Sequence, residues 1–175
     1  MAAGRLGILG GPAPDRADLS RSPAVAAAAA TLYHRGMDPH RPYDLLLAVQ
    51  EADIDQLDHV NNVVYLRWVQ EAAIAHWSAA ASAEAQRAYF WVVTRHEIDY
   101  RRPALRGDGI IARTWVGKQV ARAFERHTEL LRAADQALLA RARTLWRPMD
   151  RATGRPARVL SEEVRLAFAT PPSTE

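Results

Sequence analysis

The chain has 175 residues, 49% of them hydrophobic and 25% charged, enough for one domain with its own core. It contains no cysteine, which excludes disulfides, thiolate metal sites and a cysteine nucleophile and leaves a cytoplasmic address as the expectation. The net charge is +3, and Lys118 is the only lysine among 23 basic residues. Acidic residues are interleaved with the arginines and no long run of like charge occurs. The surface is therefore compatible with a phosphate-bearing small ligand, and no nucleic-acid partner is expected.

Residues 1–40 are rich in Ala, Gly and Pro without sustained periodicity, and are expected to form a disordered or loosely helical extension. Met37 is a candidate translation start within it. Ala24–Leu32 is mostly alanine and follows Asp15 and Asp18, a poor signal-peptide core. No apolar stretch is long enough to cross a membrane, so no membrane partner is expected.

The ordered domain is placed at residues 41–170, with a short tail at 171–175. Leu45–Gln50 reads as a first strand and the polar stretch Glu51–Asp58 as a loop. Val60–Ala81 reads as one long helix without Gly or Pro, apolar around much of its circumference, so other structure must enclose it. Phe90–Tyr100, Ile110–Val116, Ala123–Arg132 and Ala137–Trp146 read as strands. In the first of these, strict alternation puts Phe90, Val92, Thr94, His96, Ile98 and Tyr100 on one face. Arg141 and Arg143 against Ala142, Thr144 and Trp146 form the clearest half-buried pattern. Arg106-Gly107-Asp108-Gly109 and Asp150–Pro156 are turn signals. Ser161 with Glu162 and Glu163 starts a final short helix to about Phe168. Strands joined without crossover helices are antiparallel. The fold class is α+β, with one curved antiparallel sheet around one central helix.

The chemistry is concentrated before that helix, in Asp53-Ile54-Asp55-Gln56-Leu57-Asp58-His59-Val60-Asn61-Asn62-Val63-Val64-Tyr65. Capping accounts for one of Asp58, Asn61 and Asn62, but not for so many polar groups. A helix start presents unpaired N–H groups and a positive dipole end, which can hold an oxyanion developing on a reacting carbonyl. A carboxylate a few residues upstream could attack that carbonyl or activate water beside it.

The string D-x-D-x-x-x-H-V-N-N-x-x-Y, followed by Leu66-Arg67-Trp68 and Glu71, resembles acyl-CoA thioesterases of the 4-hydroxybenzoyl-CoA thioesterase-like family. Ile98-Asp99-Tyr100-Arg101-Arg102-Pro103 and Gly107-Asp108 resemble that family's second-strand signature, and the match spans roughly residues 43–168. The resemblance implies a hotdog fold, an enzyme that hydrolyses acyl-CoA without a cofactor, and a homodimer or homotetramer with substrate at a subunit interface. It puts the catalytic carboxylate on Asp55 and the oxyanion donor on the backbone N–H of Asn62, and leaves nucleophile and general base both open. Plant acyl-ACP thioesterases carry Asn where this chain has Leu57, which favours CoA over a carrier-protein substrate.

His59 is a candidate to orient Asp55 or contact the carbonyl, and equally a packing residue. We place Asn61, Val63, Tyr65, Arg101 and Arg102 among the candidate substrate-binding residues, with Arg106 as a further candidate for CoA phosphates; a solvated basic edge is the competing reading of the three arginines. Asp53 reads as structural, bonding loop backbone, with support of Asp55 as its alternative role, and Glu71 as an i,i+4 partner of Arg67 rather than a second acid. His96 and His127 have no metal-ligand companions, and no metal is expected. Tryptophans 68, 77, 91, 115 and 146 read as core or interface. The competing classes are an acyl-CoA-binding protein without hydrolysis, a hydratase on the same fold, and a structural oligomer.

Overall fold

The computed structural model describes residues 42–157 together with Leu160 and Val164. The extension expected over residues 1–40, the tail at 171–175 and, apart from Val164, the helix expected from Ser161 lie outside the described residues. Strand β1 (Tyr43–Ala48) leads through a single 3-10 turn, Glu51–Asp53, to helix α1 (Asn62–Ala80). A short helix α2 (Ala83–Ala88) precedes β2 (Tyr89–Tyr100), β3 (Gly109–Val120), β4 (Ala123–Arg132) and β5 (Leu138–Asp150). The five strands form one antiparallel sheet in the order β1-β3-β4-β5-β2.

Helix α1 covers one face of that sheet. Trp68, Val69 and Ala72 are at most 1% exposed and pack with Leu47, Ile110, Leu130, Ala140 and Ala142. Full burial of side chains such as Trp68 and Val69 contributes on the order of 1.5–3 kcal/mol each, so packing more than helix propensity holds α1. A second cluster toward the end of α1 joins Trp77, Trp91 and Trp146. Four of the five tryptophans are thus core, as expected, while Trp115 is half-buried and stacked on His127. Between the two apolar clusters lies a polar belt of Thr114, Thr128 and Thr144, all fully buried, with His76 and Arg126.

Three local features differ from the sequence reading. The alternation expected in β2 breaks at Thr94, where a bulge shifts the register against β5 between Val93 and Arg95. An extra residue reverses the facing of the strand, so Trp91 and Ile98 both pack into the core despite their odd and even positions. Strand β5 runs on to Asp150, so Pro148 lies within it opposite Trp91. Helix α2 was not expected. Ser82 caps it, its side chain accepting from Ala85 N–H at 3.2 Å, with Glu84 in the first turn and Arg87 in the last, each on its favoured side of the helix dipole.

Candidate active site

The loop between β1 and α1 is a small hairpin. Ile54 and Val60 form an antiparallel bridge, Asp55 N–H donates to His59 O at 2.9 Å, and Asp58 N–H donates to Asp55 O at 3.1 Å. Asp58 closes the turn with φ 58, a left-handed conformation that Asp tolerates better than most residues. Half-buried Asp55 points one oxygen back into the turn, where Oδ1 accepts Leu57 N–H at 2.8 Å. Its Oδ2 receives no hydrogen bond from the described residues. One oxygen is therefore anchored while the other is available to a ligand.

Asn61 is the helix cap, its Oδ1 accepting Val63 N–H at 3.0 Å. Asn61 N–H donates to Asp53 O at 2.9 Å, and Val64 N–H to Asn61 O at 2.9 Å. That leaves the N–H of Asn62, the first helical residue, without a protein acceptor among the described residues. The first turn of α1 carries no acidic residue of its own, so its positive end is not neutralised within the helix.

Asp53 has the structural role expected of it. It is 2% exposed, accepts Gln50 N–H at 3.0 Å and pairs with Arg67 at 2.8 Å. Arg67 also meets Glu71 at 3.4 Å, the i,i+4 pair anticipated from spacing. Burial raises the Glu71 pKa, with Arg67 opposing the shift and Asp53 adding to it.

The second wall comes from the end of β2 and the turn after it. Tyr65, 2% exposed, accepts Ala104 N–H on its hydroxyl at 2.7 Å, and Val60 N–H donates to Ala104 O at 3.0 Å. Tyr100 stands edge-on to Tyr65, ring centres 5.3 Å apart, and its hydroxyl donates to Asn62 O at 3.1 Å. Burial raises both phenol pKa values; for Tyr65 the Ala104 hydrogen bond pulls the other way.

Between the walls lies an open cleft of about 390 Å³. Asp55, His59, Asn61, Asn62, Tyr65, Arg101 and Arg102 all line it, together with Leu57, Val60, Tyr100 and Pro103. Val63 does not; its side chain is 71% exposed on the first turn of α1. Arg106 also falls elsewhere, paired with Glu51. Val60, Tyr100 and Pro103 are lining residues that sequence reasoning passed over; for Tyr100, its position beside Arg101 and on the same face as Ile98 was the available signal. His96 does not line the cleft, and His127 sits beside Glu125 at 3.4 Å on the other face of the sheet. Among the described residues no group of three or more His, Asp or Glu side chains could hold a metal ion. No helix among them is long and apolar enough to cross a membrane.

The family model of the thioesterase-like superfamily matches residues 49–168, well over half of the chain and the whole of this cleft. The chain belongs to the thioesterase-like superfamily. Among solved structures it is similar to a 1,4-dihydroxy-2-naphthoyl-CoA thioesterase from Synechocystis, at 22% identity and TM-score 0.62, over 73% of this chain and 95% of that one. It is similar to the DHNA-CoA thioesterase from Staphylococcus aureus at 15% identity and TM-score 0.63, over 73% of this chain and 88% of that one. A third is the 12:0-ACP thioesterase from Umbellularia californica, at 20% identity and TM-score 0.62, over 74% of this chain and 51% of that one. At these identities the likeness is one of fold, and the fold is the hotdog. A search of curated proteins gives no significant match. Membership of the thioesterase-like superfamily supports thioester hydrolysis as the general class of activity.

Proposed function

We propose that this thioesterase-like protein hydrolyses acyl-CoA thioesters, with the Asp55 carboxylate driving the reaction. The observation that carries the reading is one cleft lined both by a carboxylate with an unbonded oxygen, Asp55, and by a helix-terminal residue with an unbonded N–H, Asn62. A thioester carbonyl set in this cleft directs its oxygen toward the Asn62 N–H, where developing negative charge meets both a donor and the positive end of α1. Asp55 then takes a proton from water adding to the carbonyl carbon. In the other form of the mechanism it attacks that carbon itself, giving an acyl anhydride that water cleaves. In either form the C–S bond breaks and CoA leaves as the thiol. His59 lines the same cleft, within which its ring contacts the substrate.

The choice of CoA rests on Arg101 and Arg102. Both are exposed and line the cleft, and guanidinium groups suit bidentate contact with phosphate. Leu57 supports the same choice, since its 69% exposed side chain offers no polar group where acyl-ACP thioesterases carry Asn. The active species is a homodimer or homotetramer, and light scattering that finds only monomer at micromolar concentration would count against it. The test of substrate is thiol release from short, medium, long and aromatic acyl-CoAs, with acyl carrier protein thioesters in parallel. Hydrolysis of an acyl-CoA supports the proposal. Hydrolysis of carrier-protein thioesters alone, or none by the folded protein, would overturn it in favour of a carrier substrate or a binding role.

A further inference from the structure

The Asp55 carboxylate and the Asn62 N–H belong to different pieces of backbone, one on the hairpin before α1 and one on the first turn of α1. One carbonyl has to meet both, so the spacing between the two pieces matters for the chemistry. That spacing is set at the neck of the hairpin, around Asp53. Asp53 N–H donates to Gln50 O at 3.0 Å, Gln50 N–H donates to Asp53 Oδ2 at 3.0 Å, and Asn61 N–H donates to Asp53 O at 2.9 Å. A single residue thus joins the end of β1, the hairpin and the cap of α1.

From the helix side this neck is held by Arg67. Its Nη2 donates to Asp53 Oδ1 at 2.8 Å, while its Nε meets Glu71 Oε1 at 3.4 Å. Arg67 lies about 7.5 Å further along α1 than Asn62, and helical side chains lean back toward the N-terminus, which brings the guanidinium to the neck. Among the described residues this is the only ion pair between α1 and the loop that precedes it. The two partners differ in exposure, 48% for the Arg67 side chain and 2% for that of Asp53. The carboxylate has left water, which is unfavourable without a partner, while Arg67 keeps half of its side chain in solvent. A neutral acceptor would serve Gln50 N–H as well. The charge-assisted bond to Arg67 is what the carboxylate adds, and such bonds are short and geometrically specific.

We infer that Arg67 is a positioning residue for thioester hydrolysis. Acting through Asp53, it holds the hairpin against α1 at the spacing that lets the Asp55 carboxylate and the Asn62 N–H reach one carbonyl. The inference rests on the proposed roles of Asp55 and Asn62. Arg67 does not line the cleft, so its removal leaves the substrate contacts in place.

The test is thiol release from an acyl-CoA by Arg67→Ala, with kcat and KM determined separately and melting followed by calorimetry. Folded Arg67→Ala should lose about 10–100-fold in kcat, with KM close to that of wild type. Guanidinium chloride at tens of millimolar should restore much of the lost kcat, and saturably, because the Arg67 position is open to solvent. Tetramethylammonium, a cation without N–H donors, should restore none. A purely stabilising Arg67 would change the melting temperature and leave the kcat of folded protein untouched. Should Arg67→Ala fail to fold, Arg67→Gln, which keeps one amide donor for Asp53, carries the same comparison of kcat with KM. Wild-type kcat in the folded variant would overturn the inference, as would a loss in Arg67→Ala that guanidinium restores no better than tetramethylammonium. Asp55→Asn, assayed in parallel, separates the two claims. Full turnover there removes the mechanism and this inference with it, whereas inactive Asp55→Asn beside fully active Arg67→Ala overturns the inference alone.

Discussion

The Tyr65 hydroxyl accepts the Ala104 N–H at 2.7 Å, joining the first turn of α1 to the turn after β2. Those two segments are the walls of the cleft, and Tyr100 ties them again through Asn62 O at 3.1 Å. Tyr65→Phe removes the acceptor and leaves a buried amide unsatisfied. The expected loss is about 1–3 kcal/mol of stability, read from chemical denaturation. An unchanged denaturation midpoint would show that the contact does not hold the walls together.

Asn62→Pro isolates the oxyanion donor. Proline is well accepted at the first position of a helix, where its missing N–H costs no helical bond. The preceding residue, Asn61, already has φ −59 and ψ 139, a conformation that proline favours before itself. The fold should therefore survive with a nearly unchanged melting temperature, while kcat falls about 10²–10³-fold. Full activity in a folded Asn62→Pro protein would remove Asn62 from the mechanism.

The two aspartates of the loop should separate cleanly. Asp53 is buried, bonded to Gln50 N–H and paired with Arg67, so Asp53→Ala should lower the melting temperature by several degrees, in line with a loss of about 1–3 kcal/mol. Asp55→Asn keeps an oxygen able to accept Leu57 N–H and should melt within about a degree or two of wild type. Calorimetry on both variants checks the contrast; a large loss for Asp55→Asn would make Asp55 a structural residue.

Acid should weaken the fold through His76. Burial, reinforced by Arg126, lowers its folded pKa to about 3, below the ordinary value of about 6.5, so between those values the unfolded chain binds the extra proton. Stability is then unaffected by this group above pH 6.5 and falls as pH drops through the window, by at most about 1.4 kcal/mol per unit. Burial also lowers the His96 pKa and acts in the same direction. Glu97 and Glu125, lowered chiefly by Arg143, lose their contribution only below their ordinary value near 4.5. His76→Gln should therefore flatten the stability profile between pH 6.5 and 4.5. An unaltered slope in that variant would contradict the assignment.

Much of this site was legible because it is nearly continuous in sequence: Asp55, His59, Asn61, Asn62 and Tyr65 fall within one loop and the helix turn that follows. Arg101 and Arg102 join them through the long-range contacts of Tyr65 and Val60 with Ala104 and of Tyr100 with Asn62, which spacing does not encode. Val63 sits inside the same motif, yet helical rotation carries its side chain into solvent. In β5 the alternation of arginines with Ala142, Thr144 and Trp146 gave the facing correctly, because one face is buried and the other is not. In β2 the same reasoning failed at Thr94, since a bulge is set by register against a partner strand. Arg126 was invisible for another reason. It is flanked by Glu125 and His127, so all three positions read as polar although only one faces the core.

The central claim is tested most directly by the rate of thiol release from the best acyl-CoA substrate, comparing wild type with folded Asp55→Asn at saturating substrate. Loss of the carboxylate should lower kcat at least about a hundredfold with the melting temperature retained. An Asp55→Asn protein that turns over acyl-CoA at the wild-type rate would contradict the account.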